Sequence, residues 1–249
     1  MSVWSAFTHG RVRGTLHPMP SYREIYDHHA AQYEELVRHE GHQGNLRAWL
    51  ERAFPAPVKQ MVELGCGTGR VTRLLAPLAR SVHAYDGAAH MIAHAKEHAA
   101  LPGVEYAVAS NEELPERDDV ADAVVAGWTI GHVTGFYAEG EWEAHARAML
   151  SEMERVAASG ARIVIIETLG TCTTVPAPPN PELESLYELF ERDGGLTRHV
   201  LDTSYAFASL EEAQRIMGFF FGEAMRERVA TRGSHIVPEW TGVWTRTLT

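Results

Sequence analysis

The sequence predicts an α/β domain: a doubly wound, mostly parallel sheet with helices on both faces. Three observations carry this. Short Val- and Ile-rich runs alternate with segments of helical period between residues 60 and 167, the pattern of a parallel sheet covered on both sides. The first apolar run, Met61-Val62-Glu63-Leu64, passes through Gly65-Cys66-Gly67-Thr68-Gly69 straight into a helical segment. Three glycines in five positions remove the side chains that would keep backbone away from a ligand. The 249 residues, 45% of them hydrophobic, suffice for one large domain with a full core.

Residues 1–20 carry Gly10, Gly14, Pro18 and Pro20 without a period and read as an N-terminal arm. Ser21-Tyr22-Arg23-Glu24 is a capping box. After it Tyr22, Ile25, Tyr26, Ala30, Tyr33 and Val37 repeat at helical spacing. A second helix covers Leu46–Phe54, stopped by Pro55 and Pro57. Residues 21–58 are thus expected to be N-terminal helices, with the core domain over 59–249.

In that core the predicted strands are Gln60–Leu64, Ser81–Tyr85, Val104–Ala109, Ala121–Ala126 and Ala161–Glu167. The intervening helices are Arg70–Leu78, Ala88–Ala99 and Glu141–Ala158, the last stopped by Gly160. Beyond Glu167 the rhythm breaks. Thr168–Pro181 is rich in Thr, Pro and Gly, Glu182–Arg192 reads as a helix and Thr197–Ala208 as a strand. A second capping box, Ser209-Leu210-Glu211-Glu212, opens a helix to about Val229, and Ile236–Leu248 reads as a final strand. An insertion at the ligand edge of such a sheet usually governs substrate choice. Residues 168–207 are therefore expected to form an acceptor lid, with Leu186, Leu189 and Phe190 as its apolar face and Arg192, Arg198 and His199 as its charges. Phe219-Phe220-Phe221 is read as core of the helix that contains it.

Composition narrows the function classes. The net charge of −11 argues against a general phosphate-backbone binder. Two cysteines, one of them in the glycine loop, favour a reducing compartment over a disulfide scaffold. No apolar run reaches the length of a membrane helix, and the N-terminus lacks a signal-peptide core. A cytoplasmic protein without membrane or nucleic-acid partners is expected. Of the fourteen histidines, His90, His94 and His98 share a helix face. Without a glutamate placed as in HExxH, or a Cys cluster, they read as a solvated face and no metal is expected.

The ligand is read from spacing. In an open α/β sheet ligands bind beyond the carboxyl ends of the strands. The second strand ends at Asp86, about 20 residues past the loop, where an acid accepts hydrogen bonds from ribose hydroxyls. Asp86 could also simply cap the helix starting near Ala88. GxGxG departs from the GxGxxG of nicotinamide and flavin enzymes.

Val62-Glu63-Leu64-Gly65-Cys66-Gly67-Thr68-Gly69 resembles motif I of class I S-adenosylmethionine-dependent methyltransferases, and in particular the small-molecule enzymes with a type 11 domain. Glu112-Glu113-Leu114-Pro115, Ala121-Asp122-Ala123-Val124-Val125, His132-Val133 and the stretch Met149–Val156 followed by Gly160 resemble later motifs of the group, in the same order. Pro238-Glu239-Trp240-Thr241-Gly242-Val243-Trp244 resembles its final strand. The resemblance implies a Rossmann-like, seven-stranded sheet whose last strand is antiparallel. It implies S-adenosylmethionine as cofactor, S-adenosylhomocysteine as product and a small-molecule acceptor methylated at O or N. It places Gly65, Cys66 and Gly67 at the methionine portion and Glu63 facing its ammonium group, directly or through water. Asp86 would meet the ribose hydroxyls, Gly87 and Met91 the adenine, and Trp128 and Ile130 the methionine part. In the group an acid after the third strand often binds the adenine amino group. This chain has Ser110-Asn111-Glu112 there, and a serine hydroxyl or the Asn111 amide would substitute. Tyr26 or Tyr33 would cover the cofactor, although a tyrosine stripe is also ordinary packing.

Two residues on the ligand edge are candidate bases: His132 after the fourth strand and Glu167 at the end of the fifth. Methyl transfer does not oblige a base, since the sulfonium already activates the methyl group. Three other readings remain open: a nicotinamide-dependent oxidoreductase, a non-catalytic S-adenosylmethionine-binding protein and a nucleic-acid methyltransferase. Base-amino methylators carry an Asp/Asn-Pro-Pro-aromatic motif after the fourth strand, where this chain has Ala126-Gly127-Trp128-Thr129. A monomer or homodimer is expected.

Overall fold

A computed structural model describes residues 30–138 and 140–249. The capping box at Ser21, the first part of the helical tyrosine pattern and Tyr26 lie outside the described residues. Helices α1 (Ala30–Val37) and α2 (Asn45–Ala53) precede strand β1 (Val58–Leu64). Then come α3 (Thr72–Leu75), a 3-10 turn at Ala76–Leu78, β2 (Ala79–Asp86), α4 (Ala89–His98), β3 (Val104–Val108) and β4 (Ala121–Gly127). A 3-10 turn at Ile130–His132 leads into α5 (Val133–Phe136), α6 (Trp142–Val156) and β5 (Ala157–Thr171). The remainder is α7 (Pro181–Arg192), β6 (Thr197–Asp202), β7 (Tyr205–Ala206), α8 (Leu210–Phe221), α9 (Glu223–Arg232), β8 (Ile236–Val237) and β9 (Glu239–Thr247).

Seven strands form one sheet in the order β3-β2-β1-β4-β5-β9-β6, and β7 pairs with β8 apart from it. β1 to β5 are parallel, while β9 runs antiparallel between β5 and β6. This is the Rossmann-like, mostly parallel arrangement expected. The period of two explains why the middle of each central strand is apolar on both faces. Val62, Leu64, Val124, Ala126, Ile163 and Ile165 pack in one core with α6 and α7. Their neighbours Met61, Ala123, Val125, Val164 and Ile166 pack on the opposite face against α2 and α3.

Several boundaries differ from expectation. Gly160 does not stop α6. That helix ends at Val156, and β5 starts at once, with Gly160 inside the strand at φ 81°. The Thr197–Ala208 strand is two strands separated at Thr203 and Ser204, where Asp202 accepts the Ser204 N–H and hydroxyl. The helix from Ser209 breaks at Gly222, at φ 95°, and the last strand breaks at Pro238. Ser209 caps the helix, its hydroxyl accepting from the Glu212 N–H at 3.1 Å, while the Glu212 carboxylate reaches back to the Ala208 N–H rather than that of Ser209. Both cysteines are buried and free.

The lid expected over 168–207 is largely core. On α7, Leu186, Leu189 and Phe190 are buried in the main core, and Tyr187 and Phe190 meet the Trp244 ring at 4.6 and 5.6 Å between centroids. β6 is a strand of the main sheet. The charged residues are committed too: Arg192 pairs with Glu188, Arg198 with Glu191, and His199 packs on Trp49. Burying this apolar face stabilises the fold more than leaving it on a mobile flap, at about 1.5–3 kcal/mol per large side chain. Of the three consecutive phenylalanines Phe220 is buried and Phe219 partly exposed. No helix among the described residues is long and apolar enough to cross a membrane.

Candidate functional site

A cavity of about 500 Å³ opens at the carboxyl ends of β1 to β4. It lies where the sheet order reverses, between β1 and β4, the usual ligand crevice of such a sheet. Gly65 and Gly67 supply its wall after β1, and Asp86, Gly87 and Ala88 the wall after β2. Val108 to Glu112 follow β3, and Gly127, Trp128 and Thr129 follow β4. His132, Val133, Phe136 and Tyr137 close one side together with Met149, and Tyr33 of α1 reaches in from above the glycine loop.

The glycines are required by geometry. Gly65 has φ 63°, and a Cβ there would lie 2.1 Å from Thr129 Oγ1. Gly67 has φ 53°, and a Cβ would meet only the Tyr33 ring, at 3.8 Å. Asp86 ties the loop to the second strand: Oδ2 accepts the Gly67 N–H and Oδ1 the Ala88 N–H, both at 2.8 Å. It therefore orders the chain entering α4 without capping that helix, whose N-cap is Ala88 with no side-chain cap bond, and it lines the cavity as well. A carboxylate has about four lone-pair directions, so capacity remains for hydroxyl donors. Burial raises its pKa, and the two N–H donors oppose that.

At the adenine end expected from the resemblance, Ser110 Oγ is engaged by the Glu112 N–H at 3.1 Å. Asn111 donates from Nδ2 to Thr129 Oγ1 at 3.0 Å. Its Oδ1 is buried with no partner among the described residues, a cost of about 1–3 kcal/mol that a ligand donor would relieve. Glu112 holds His145 at 2.8 Å, and that ring stacks on Tyr137.

Four residues expected at the cofactor do not line the cavity. Met91 and Cys66 are buried in the core, and burial raises the Cys66 thiol pKa. Glu63, 1% exposed, shares a face of β1 with Met61, toward α3 and away from the core of Val62 and Leu64. Its carboxyl sits by Thr72, and burial pushes its pKa up to about 8. Strand parity thus sets it behind the loop. Ile130 is likewise fully buried.

His132 lines the cavity and stacks on Phe136 at 5.5 Å. Burial pushes its pKa down to about 4, despite a bond to the Trp128 backbone, so it is neutral at pH 7. Glu167 is 4% exposed and not a cavity wall. Burial pushes it up to about 7, opposed by the backbone N–H groups of Gly131, Ile130 and Thr129.

The structure adds contacts that the sequence did not disclose. Trp128 has φ 49°, rare for a bulky side chain, and the Arg70 guanidinium lies 3.4 Å from its ring centroid. Arg70 also pairs with buried Glu40. Thr68, fully buried, donates to Glu34 at 2.7 Å, and Arg73 pairs with the same carboxylate at 3.1 Å. α1 is thereby fastened to the glycine loop. His94 and His98 touch edge to face, and no group of three or more metal-ligating side chains occurs among the described residues.

A family model described as a methyltransferase domain, type 11, matches residues 62–165, from β1 to β5. Over this stretch the chain is similar to class I, type 11-like methyltransferase domains. Several solved structures share the fold. A phosphoethanolamine N-methyltransferase of Haemonchus contortus, in complex with S-adenosylhomocysteine, superposes with TM-score 0.55 at 18% identity, covering 94% of this chain and 61% of that one. The cyclase SpnF gives 0.58 at 15% identity over 93% and 99%. A SAM-dependent methyltransferase of Aquifex aeolicus gives 0.52 at 15% over 82% and 90%. No curated protein sequence matches. The matched stretch supplies every wall of the cavity except Tyr33.

Proposed function

We propose that this protein is an S-adenosylmethionine-dependent methyltransferase acting on O or N of a small-molecule acceptor. One observation carries the reading: the glycine cradle, Asp86 and the unpartnered Asn111 oxygen surround a single cavity at the sheet's switch point. These groups fit the cofactor end to end. Gly65 and Gly67 admit close backbone approach, Asp86 accepts from ribose hydroxyls, and Asn111 Oδ1 accepts from the adenine amino group. Trp128 and Tyr33 offer aromatic faces at the methionine end. When bound, the cofactor supplies a methyl group already activated by positive sulfur. The chain's task is then to orient the acceptor in line and exclude water.

His132, neutral at pH 7 and on the cavity wall, is placed to accept a hydrogen bond from an acceptor hydroxyl or amine. With its pKa near 4 it is a weak base, better suited to orienting that proton than to removing it. Glu63 contributes behind the loop, with no contact to the ammonium group proposed.

A fold shared with a cyclase gives a second reading, in which the cofactor is held without methyl transfer. Calorimetric titration with S-adenosylhomocysteine tests the site. Saturable binding is expected, with Asp86→Ala weakening it about tenfold or more, as for loss of a charge-assisted hydrogen bond. No binding by the wild type overturns both readings. Release of S-adenosylhomocysteine from S-adenosylmethionine with hydroxyl and amine acceptors separates turnover from binding alone.

A further inference from the structure

We propose that Glu167 is a positioning residue, whose carboxylate holds the turn Thr129–Gly131 by its backbone and so fixes Thr129 between the glycine loop and Asn111. The inference rests on the cofactor reading for its consequence, although the brace itself exists without ligand.

The turn needs a brace. It follows Trp128, whose positive φ is unfavourable for a bulky residue and persists only where surroundings over-determine it. Two consecutive residues of β5 provide this. The Ile166 carbonyl accepts the Trp128 N–H at 2.7 Å, and Glu167 Oε1 accepts the Gly131 N–H at 2.8 Å. The N–H groups of Ile130 and Thr129 also face the Glu167 carboxylate. The wrap is tight, since a Cβ on Gly131 would stand 2.8 Å from Oε2.

What the turn carries is Thr129. Its side chain fills the space at Gly65 where a Cβ would go, and its Oγ1 accepts from Asn111 Nδ2. A shift of the turn therefore moves the wall at the methionine end and the amide at the adenine end together. Buried and ringed by backbone donors, Glu167 is occupied as an acceptor and touches no reacting atom. A general base would need the cavity access that it lacks.

Glu167→Gln discriminates this role from space filling. The variant is isosteric but sets an NH2 group against N–H donors and keeps a single acceptor oxygen. At pH 8.5 the expected result is S-adenosylhomocysteine binding weakened about 10- to 100-fold, with faster hydrogen exchange at the 129–131 amides. A base would instead lose turnover at unchanged affinity. Wild-type affinity together with wild-type exchange in Glu167→Gln overturns the proposal. Should that variant fail to fold, Thr129→Val decides: the shape is kept and the acceptor for Asn111 lost, so unchanged affinity overturns the proposal. A wild type that binds no S-adenosylhomocysteine, with exchange still accelerated in Glu167→Gln, overturns the cofactor reading and leaves the brace standing.

Discussion

Gly65→Ala tests the contact on which the glycine loop is built. The added methyl meets Thr129 at Oγ1, Cβ and Cγ2, at 2.1, 2.3 and 2.8 Å, all inside the shortest real contacts. The flexible end of a side chain cannot simply swing aside, because Thr129 Cβ itself is in the way. Alanine at φ 63° adds about 1–2 kcal/mol of backbone strain, and forced overpacking about 1–3 kcal/mol. The sum is a loss of about 2–5 kcal/mol, read as a fall in the urea midpoint. The steric share is isolated by pairing the change with Thr129→Gly, which removes the clashing side chain. The double-mutant cycle should then show a favourable coupling of about 1–3 kcal/mol. Gly65→Ala within about 0.5 kcal/mol of wild type, or a coupling of zero, refutes the packing of Thr129 against the loop.

Other perturbations reach the elements around the site. Glu63 has a pKa raised to about 8 by burial, so the folded state binds its proton more tightly than the unfolded chain does. Its contribution is complete below the ordinary carboxyl value and is lost as pH rises through about 8. Urea midpoints should fall between pH 5 and pH 9, less steeply in Glu63→Gln; an unchanged slope in that variant contradicts the burial argument. Arg70→Met leaves Glu40 buried without its cation and should cost about 3–5 kcal/mol, with much of the loss recovered in the Glu40→Gln, Arg70→Met double variant. Equal instability of single and double variants speaks against the ion pair. Thr68→Val removes the hydroxyl bond to Glu34, worth about 1 kcal/mol, and hydrogen exchange should accelerate along α1. Unaltered exchange there means that α1 is held by other contacts.

The central strands were legible because burial on both faces leaves no polar position to confuse the pattern, as in Met61-Val62 or Val124-Val125. The glycine loop was legible because Gly65, at φ 63° with no room for a Cβ, admits no other residue type, and Asp86 because it closes β2 beside that loop. Glu63 was misleading: the motif I resemblance implied a place at the ammonium group, and strand parity turned its side chain toward α3. Gly160 misled in another way, because a glycine at positive φ serves a strand as well as a helix end. The amphipathic stripe of α7 fits a lid and a core helix equally, and only the position of Trp244 on β9 decides between them. Thr129 was overlooked because its role depends on Gly65 and Asn111, both distant in sequence. Its one signal was its place just past the end of β4, on the ligand edge of the sheet.

The placement of β9 between β5 and β6 has a consequence for biosynthesis. While the ribosome is making α7 to β8, the outer edge of β5 has no strand beside it, and β6 has no sheet to join. An unpaired edge of such apolar composition is a template for wrong pairing. The nascent domain must therefore carry that open edge until Glu239–Thr247 emerge, when one strand closes the gap, delivers Trp244 to the core and recruits β6. Loss of that short segment would leave the cavity-forming half intact in sequence but attached to an adhesive edge, and the failure would be aggregation rather than loss of ligand contacts.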